Sequence, residues 1–172
     1  MGDINKIAVL YGGSSSEREI SIQSGEGVYK AIIELGFVAD LIDINDLEDL
    51  SELKVFDFIF IALHGFEGEG GKLQKDLDDL NILYSGSSSK CCKNTWNKKL
   101  TKEILEQNNI NTPIWSEVTK LPSYDSPNAK LSDSFFDKFR PFEAIFLKPQ
   151  EDGSSIDIFK ISNENNNKNA IQ

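Results

Sequence analysis

Apolar residues first cluster in a short run, Lys6 to Tyr11 (KIAVLY), which stops at Gly12-Gly13. Such a run closed by a glycine pair predicts a buried strand and a tight turn. The polar stretch from Ser14 to Glu19 offers several helix caps. From Ser21 to Leu35 the apolar residues Val28, Ala31, Ile32 and Leu35 recur at helical spacing, and Gly36 ends the pattern. Phe37 to Asp43 predicts a second strand. Phe56 to Leu63 (FDFIFIAL) is the strongest strand signal, broken only by Asp57; it runs into His64-Gly65 and a glycine-rich turn through Gly71. Leu73, Leu77 and Leu80 mark one face of a further helix.

A short strand around Ile82 to Tyr84 leads into Ser85-Gly86-Ser87-Ser88-Ser89, and a helix is expected from Trp96 to Gln107 with Leu100, Ile104 and Leu105 inward. Pro113 punctuates the end of that unit, so the pattern divides into residues 1–112 and 113–172. Residues 120–142 read as an irregular connection with one helical stretch around Phe135 and Phe136. Ala144 to Lys148 and Ile156 to Ser162 are two expected strands joined by a Gly/Ser turn, and the last ten residues form an asparagine-rich tail expected to fray. Strand, helix, strand, loop, strand, helix is the rhythm of a parallel α/β sheet. Ligands of such sheets bind beyond the carboxyl ends of the strands, where the loops at 12–19 and 64–71 fall.

Composition narrows the partners. A net charge of −10 argues against a nucleic-acid backbone, which calls for clustered Lys and Arg. No apolar run approaches the roughly 20 residues that span a bilayer, and the N-terminus carries no signal-peptide pattern, so a cytoplasmic protein is expected. The two cysteines, Cys91 and Cys92, are adjacent and form neither a disulfide framework nor a zinc pattern.

Taken one at a time, the candidate chemical groups keep two readings. Gly12-Gly13-Ser14 could cradle an anion on its backbone amides, or simply turn the chain. Glu17 and Glu19 suit an ammonium group better than a phosphate, or serve as solvated or capping residues. His64, the only histidine, stands where a parallel sheet places functional groups, but a lone histidine is also a common structural residue. Gly65 to Lys72 is no Walker A loop, since Leu73 stands where Ser or Thr would ligate magnesium. Lys148, before the Gly153-Ser154-Ser155 turn, is either a phosphate clamp or an ordinary hairpin lysine.

In order, however, these segments resemble a family. Lys6–Ser21 (KIAVLYGGSSSEREIS), Phe60–Gln74 (FIALHGFEGEGGKLQ), Tyr84–Ser87 (YSGS), Lys98–Pro113 (KKLTKEILEQNNINTP) and Phe146–Ser155 (FLKPQEDGSS) are similar to the D-alanine–D-alanine ligases of the ATP-grasp superfamily. The resemblance implies a Rossmann-like, pre-ATP-grasp N-terminal domain followed by an incomplete ATP-grasp central domain. It implies ATP-dependent joining of two D-alanines for peptidoglycan precursors: the γ-phosphoryl group passes to the first D-alanine carboxylate, and the second D-alanine's amine displaces phosphate from the acyl phosphate. By the same resemblance Glu17 holds the first D-alanine's ammonium, His64 orients its carboxylate, and Glu69 sits in the matching acidic position of that loop. Lys98 and Lys148 match lysines on the ATP phosphates, with Ser155 beside them, and Ser154 matches a serine that bonds toward Glu17. The family enzyme uses ATP and Mg2+ and is commonly a homodimer.

The sequence departs from that pattern at Gly70, where the family has Asp, at Trp96-Asn97-Lys98 for Met-Asp-Lys, and at Asp157 for a glycine. The family's magnesium ligands, adenine-binding segment and second-substrate pocket would follow Gln172, so the chain is expected to be a truncated, inactive form. The alternative is a non-catalytic amino-acid-binding module of the same fold. An unrelated carboxylase-like N-terminal domain fits the rhythm but not the surroundings of Glu17 and His64.

Overall fold

A computed structural model of the chain describes residues 4–118, 138–139 and 141–162. Strand β1 (Lys6–Tyr11) is followed by helix α1 (Arg18–Glu34) and strand β2 (Val38–Asp43), then by two 3₁₀ turns and strand β3 (Phe58–Ile61). β1 lies between β2 and β3 and pairs with both in parallel, with Lys6 opposite Val38 and Ile7 opposite Phe58. The residues around Tyr84 extend the sheet beyond β3: Ile59 N–H donates to the Leu83 carbonyl at 2.8 Å, and Ser85 N–H to the Ile59 carbonyl at 2.9 Å.

The continuous apolar run of β1 is explained by burial on both faces, as a central parallel strand requires. Its side chains alternate. Ile7 and Val9 pack with Ile32, Ala39 and Ala62, with Val28 and Tyr29 of α1 alongside. Ala8 and Leu10 pack on the other side with Leu53, Ile59, Leu63, Leu73, Leu77 and Ile82. Of the four apolar positions that outline α1 in the sequence, only Ile32 is buried; Leu35 ends the helix as its exposed C-cap. Asp57, the polar interruption before β3, accepts hydrogen bonds from the backbone amides of Asn5 (2.9 Å) and Lys6 (2.8 Å), tying the start of β1 to the start of β3.

Two segments fold differently from the sequence pattern. The expected glycine-rich turn from 65 to 71 contains a short helix α2 (Gly65–Glu69), ahead of α3 (Lys72–Asp79). The expected helix from Trp96 to Gln107 is instead preceded by α4 (Ser89–Trp96), interrupted at the extended residue Asn97, and resumed as α5 (Lys98–Gln107). Asn97 is buried, and its side-chain oxygen accepts the Leu100 amide at 3.0 Å, which is how an N-cap restarts a helix. Trp96 turns an edge-on ring to Phe66 of α2, centroids 5.9 Å apart.

The chain divides into two compact units, Met1–Thr101 and Lys102–Gln172, within α5. Pro113, the boundary suggested by the sequence, lies inside the second unit. There, β4 (Ala144–Leu147) and β5 (Phe159–Ser162) pair antiparallel. β5 begins later than the expected Ile156 because the intervening residues turn: Ile156 N–H donates to the Gly153 carbonyl at 3.0 Å, and Ser154, Ser155 and Asp157 take φ values of 49°, 61° and 52°. The helical stretch expected around Phe135 and Phe136 and the asparagine-rich tail lie outside the described residues.

Candidate functional site

In the first unit, β1 and β3 run in parallel and deliver their following loops to the same edge of the sheet. The Gly12–Ser14 loop is not an open anion cradle, because protein acceptors already hold its three amides. Gly12 N–H donates to Ser21 Oγ (2.9 Å) and Gly13 N–H to Asp43 Oδ1 (3.3 Å). Ser14 N–H donates to Glu67 Oε2 (2.8 Å), and its hydroxyl also donates to Glu67. Both glycines have φ near +80°, and a Cβ on Gly12 would stand 2.4 Å from the Asp43 carboxylate, so the pair is required by this approach.

Asp43 organises the loop. It is buried at the end of β2, accepts the amides of Gly13 and Asn45, and takes an ion pair from Arg18 Nη2 at 2.6 Å. Arg18 Nη1 donates to the Gly13 carbonyl at 2.8 Å, closing the loop on itself. Burial alone would raise the Asp43 carboxyl, but the Arg18 guanidinium and the two amides outweigh it and hold the group below the usual carboxylate range. Neither Asp43 nor Glu67 stands out in the sequence, where their loop partners are 30 and 53 residues away.

Glu17 occupies the N-cap position of α1 but makes no side-chain cap. Its Oε2 lies 3.1 Å from the point where a Cβ on Gly65 would begin, so the carboxylate abuts the residue after His64. Ser15 shares that neighbourhood: its hydroxyl donates to the His64 carbonyl at 3.3 Å and accepts the Glu17 amide at 3.2 Å. The His64 ring is about one-third exposed, with Nε2 at 3.1 Å from Ser24 Oγ of α1 and Nδ1 at 3.6 Å from Glu69 Oε1. Thus Glu17, His64 and Glu69 gather at the strand ends, while Glu19 is exposed on the first turn of α1.

The remaining candidate residues are placed as follows. Lys98 is half-buried at the start of α5 in the first unit. Lys148 is exposed after β4 in the second unit, its Nζ 6.0 Å from the Phe146 ring centre, and Ser154 and Ser155 are exposed in the turn before β5. Asp157 adopts a left-handed backbone, the conformation glycine usually supplies and one that Asp tolerates better than most residues. Cys91 and Cys92 are free thiols. Among the described residues no group of three or more His, Cys, Asp or Glu is placed to hold a metal ion, and no helix is long and apolar enough to cross a membrane.

No protein-family model matches the chain. Known proteins do. A ligase from Bordetella avium is 37% identical over 159 residues, 91% of this chain and 47% of that protein. One from Albidiferax ferrireducens is 39% identical over 161 residues, 92% of this chain and 43% of its own length. Both are named D-alanine–D-alanine ligase. The chain is similar in sequence to part of a D-alanine–D-alanine ligase. The fold agrees: the D-alanine–D-alanine ligase of Bacillus anthracis, solved with ATP, superposes with a TM-score of 0.75 at 30% identity over 93% of this chain. The chain spans about half the length of the ligases it matches. The likeness carries the α/β fold with its parallel sheet across to this chain.

Proposed function

We propose that the first unit is the pocket for the first D-alanine of an ATP-dependent D-alanine–D-alanine ligase. The observation that carries this reading is the placement of the Glu17 carboxylate against Gly65, beside His64, at the ends of two adjacent parallel strands. A free amino acid is a zwitterion and needs an acceptor for its ammonium and a donor for its carboxylate. Glu17 is the acceptor and His64 the donor or cation. The loop supports this assignment, because its amides are consumed by Ser21, Asp43 and Glu67, leaving carboxylates rather than bare N–H groups to meet the ligand.

Held in this way, the substrate carboxylate is the nucleophile toward the ATP γ-phosphorus, and preorganised charge around it lowers the cost of bringing two anions together. By the family resemblance, Lys98, Lys148 and the Ser154-Ser155 turn are the residues this reading assigns to ATP. The family resemblance also carries an ATP-grasp central domain beginning near residue 113, magnesium, a cytoplasmic location, and a homodimer for the intact enzyme.

The test is calorimetry of the chain with D-alanine, wild type against Glu17→Ala. Loss of a charge-assisted hydrogen bond costs about 1.5–3 kcal/mol, roughly 10- to 150-fold in affinity. Equal binding by the two proteins would remove Glu17 from the site.

A further inference from the structure

We propose that Ser24 is a positioning residue for His64, holding its neutral imidazole as the Nδ1–H tautomer between α1 and α2. Ser24 Oγ lies 3.1 Å from Nε2, within hydrogen-bond reach. On the opposite edge of the ring, Glu69 of α2 places a carboxylate oxygen 3.6 Å from Nδ1. That separation is too long for a hydrogen bond, but the negative charge still favours the proton on the nearer nitrogen. With the proton on Nδ1, Nε2 keeps a lone pair, and the Ser24 hydroxyl is the donor that fills it. The Nδ1–H tautomer satisfies both contacts at once, with the Ser24 hydroxyl as donor.

The helix geometry supports a built arrangement. Glu17, Ser21 and Ser24 recur at the four- and three-residue intervals that align side chains on one face of α1. Ser21 on that face donates to the Ala62 carbonyl at 2.8 Å, which ties α1 to the end of β3 two residues before His64. Ser24 then meets the ring itself. Inside a helix, serine is a poorer former than alanine, so the backbone gains nothing from a hydroxyl here. Among the described residues, Glu69 of α2 is the charged group that approaches the His64 ring, and Glu17 at the head of α1 abuts the neighbouring Gly65.

His64 is the only histidine in the chain, so its ring nitrogens give unambiguous signals in a uniformly ¹⁵N-labelled sample. Long-range ¹H–¹⁵N spectra, recorded at alkaline pH, are expected to show Nδ1 protonated and Nε2 bare. In Ser24→Ala the ratio of Nδ1–H to Nε2–H should fall roughly three- to tenfold, the effect of one hydrogen bond, and Ser24→Thr should restore it. Glu69→Gln should lower the same ratio from the other edge. A wild-type ring dominated by Nε2–H, or a ratio unchanged in Ser24→Ala, overturns the assignment. Only the consequence for substrate rests on the D-alanine reading. If the tautomer behaves as expected and the wild type ignores D-alanine, the substrate reading fails while the role of Ser24 stands.

Discussion

Replacing Asp43 with Asn tests whether a buried carboxylate sets the loop that carries Glu17. The substitution keeps the shape and one acceptor oxygen for the Gly13 and Asn45 amides, but removes the charge paired with Arg18 at 2.6 Å and points an amide N–H₂ toward the guanidinium. Hydrogen bonds to charged groups contribute about 1.5–3 kcal/mol. The Arg18 side chain is 40% exposed, so water screens part of the loss and the low end, about 1.5 kcal/mol, applies. In urea melts followed by circular dichroism, a slope of about 1–3 kcal/mol/M converts this to a midpoint roughly 0.5–1.5 M lower at pH 7. The pH dependence follows from the depressed carboxyl of Asp43. A group whose folded value is lowered stabilises above its ordinary value of 3.8 and loses that contribution as pH falls through the folded value. The gap between wild type and Asp43→Asn should therefore hold from pH 7 to pH 5 and close as pH falls below about 3.8. Equal midpoints at pH 7, or a gap that persists undiminished to pH 2, would refute the reasoning.

Two further outcomes follow from the same structure. Leu77 is fully buried in the cluster under β1 and β3, so Leu77→Ala should destabilise the first unit by about 2–5 kcal/mol in urea melts; a loss below about 1 kcal/mol would mean that this cluster is not a packed core. Lys148→Ala should weaken binding of a non-hydrolysable ATP analogue about tenfold in calorimetry and leave D-alanine binding unchanged, whereas equal nucleotide affinity would remove Lys148 from the phosphates.

Much of the fold was legible because it rests on local pattern. β1 has the bounds its apolar run predicts, and α1, β2 and β3 fall within a few residues of expectation. The helix α4 was missed because SKCCKNTW has little apolar periodicity and buries no residue. Its cap, Ser88 accepting the Cys91 amide, was the available signal. The segment Gly65–Glu69 resembled a turn because its glycines hide a helix from any propensity argument. At the site, Glu17, His64 and Glu69 were visible by motif. Asp43, Glu67 and Ser24 were not, since each acts on a residue that becomes a neighbour only when the parallel strands assemble. The departure at Asp157 is now intelligible as an Asp in a glycine-like conformation, and Asn97 as the residue whose side chain caps α5.

The most direct test of the central claim is an intermolecular NMR contact between D-alanine and the His64 ring in the isotope-labelled chain. The account predicts saturable shifts of the His64 ring protons and the Gly65 amide, with a nuclear Overhauser effect from the ring to the D-alanine methyl group. In Glu17→Ala the same shifts should need at least about tenfold more D-alanine. A His64 signal that stays unmoved while D-alanine saturates elsewhere on the chain, or at any concentration reached, would contradict the claim.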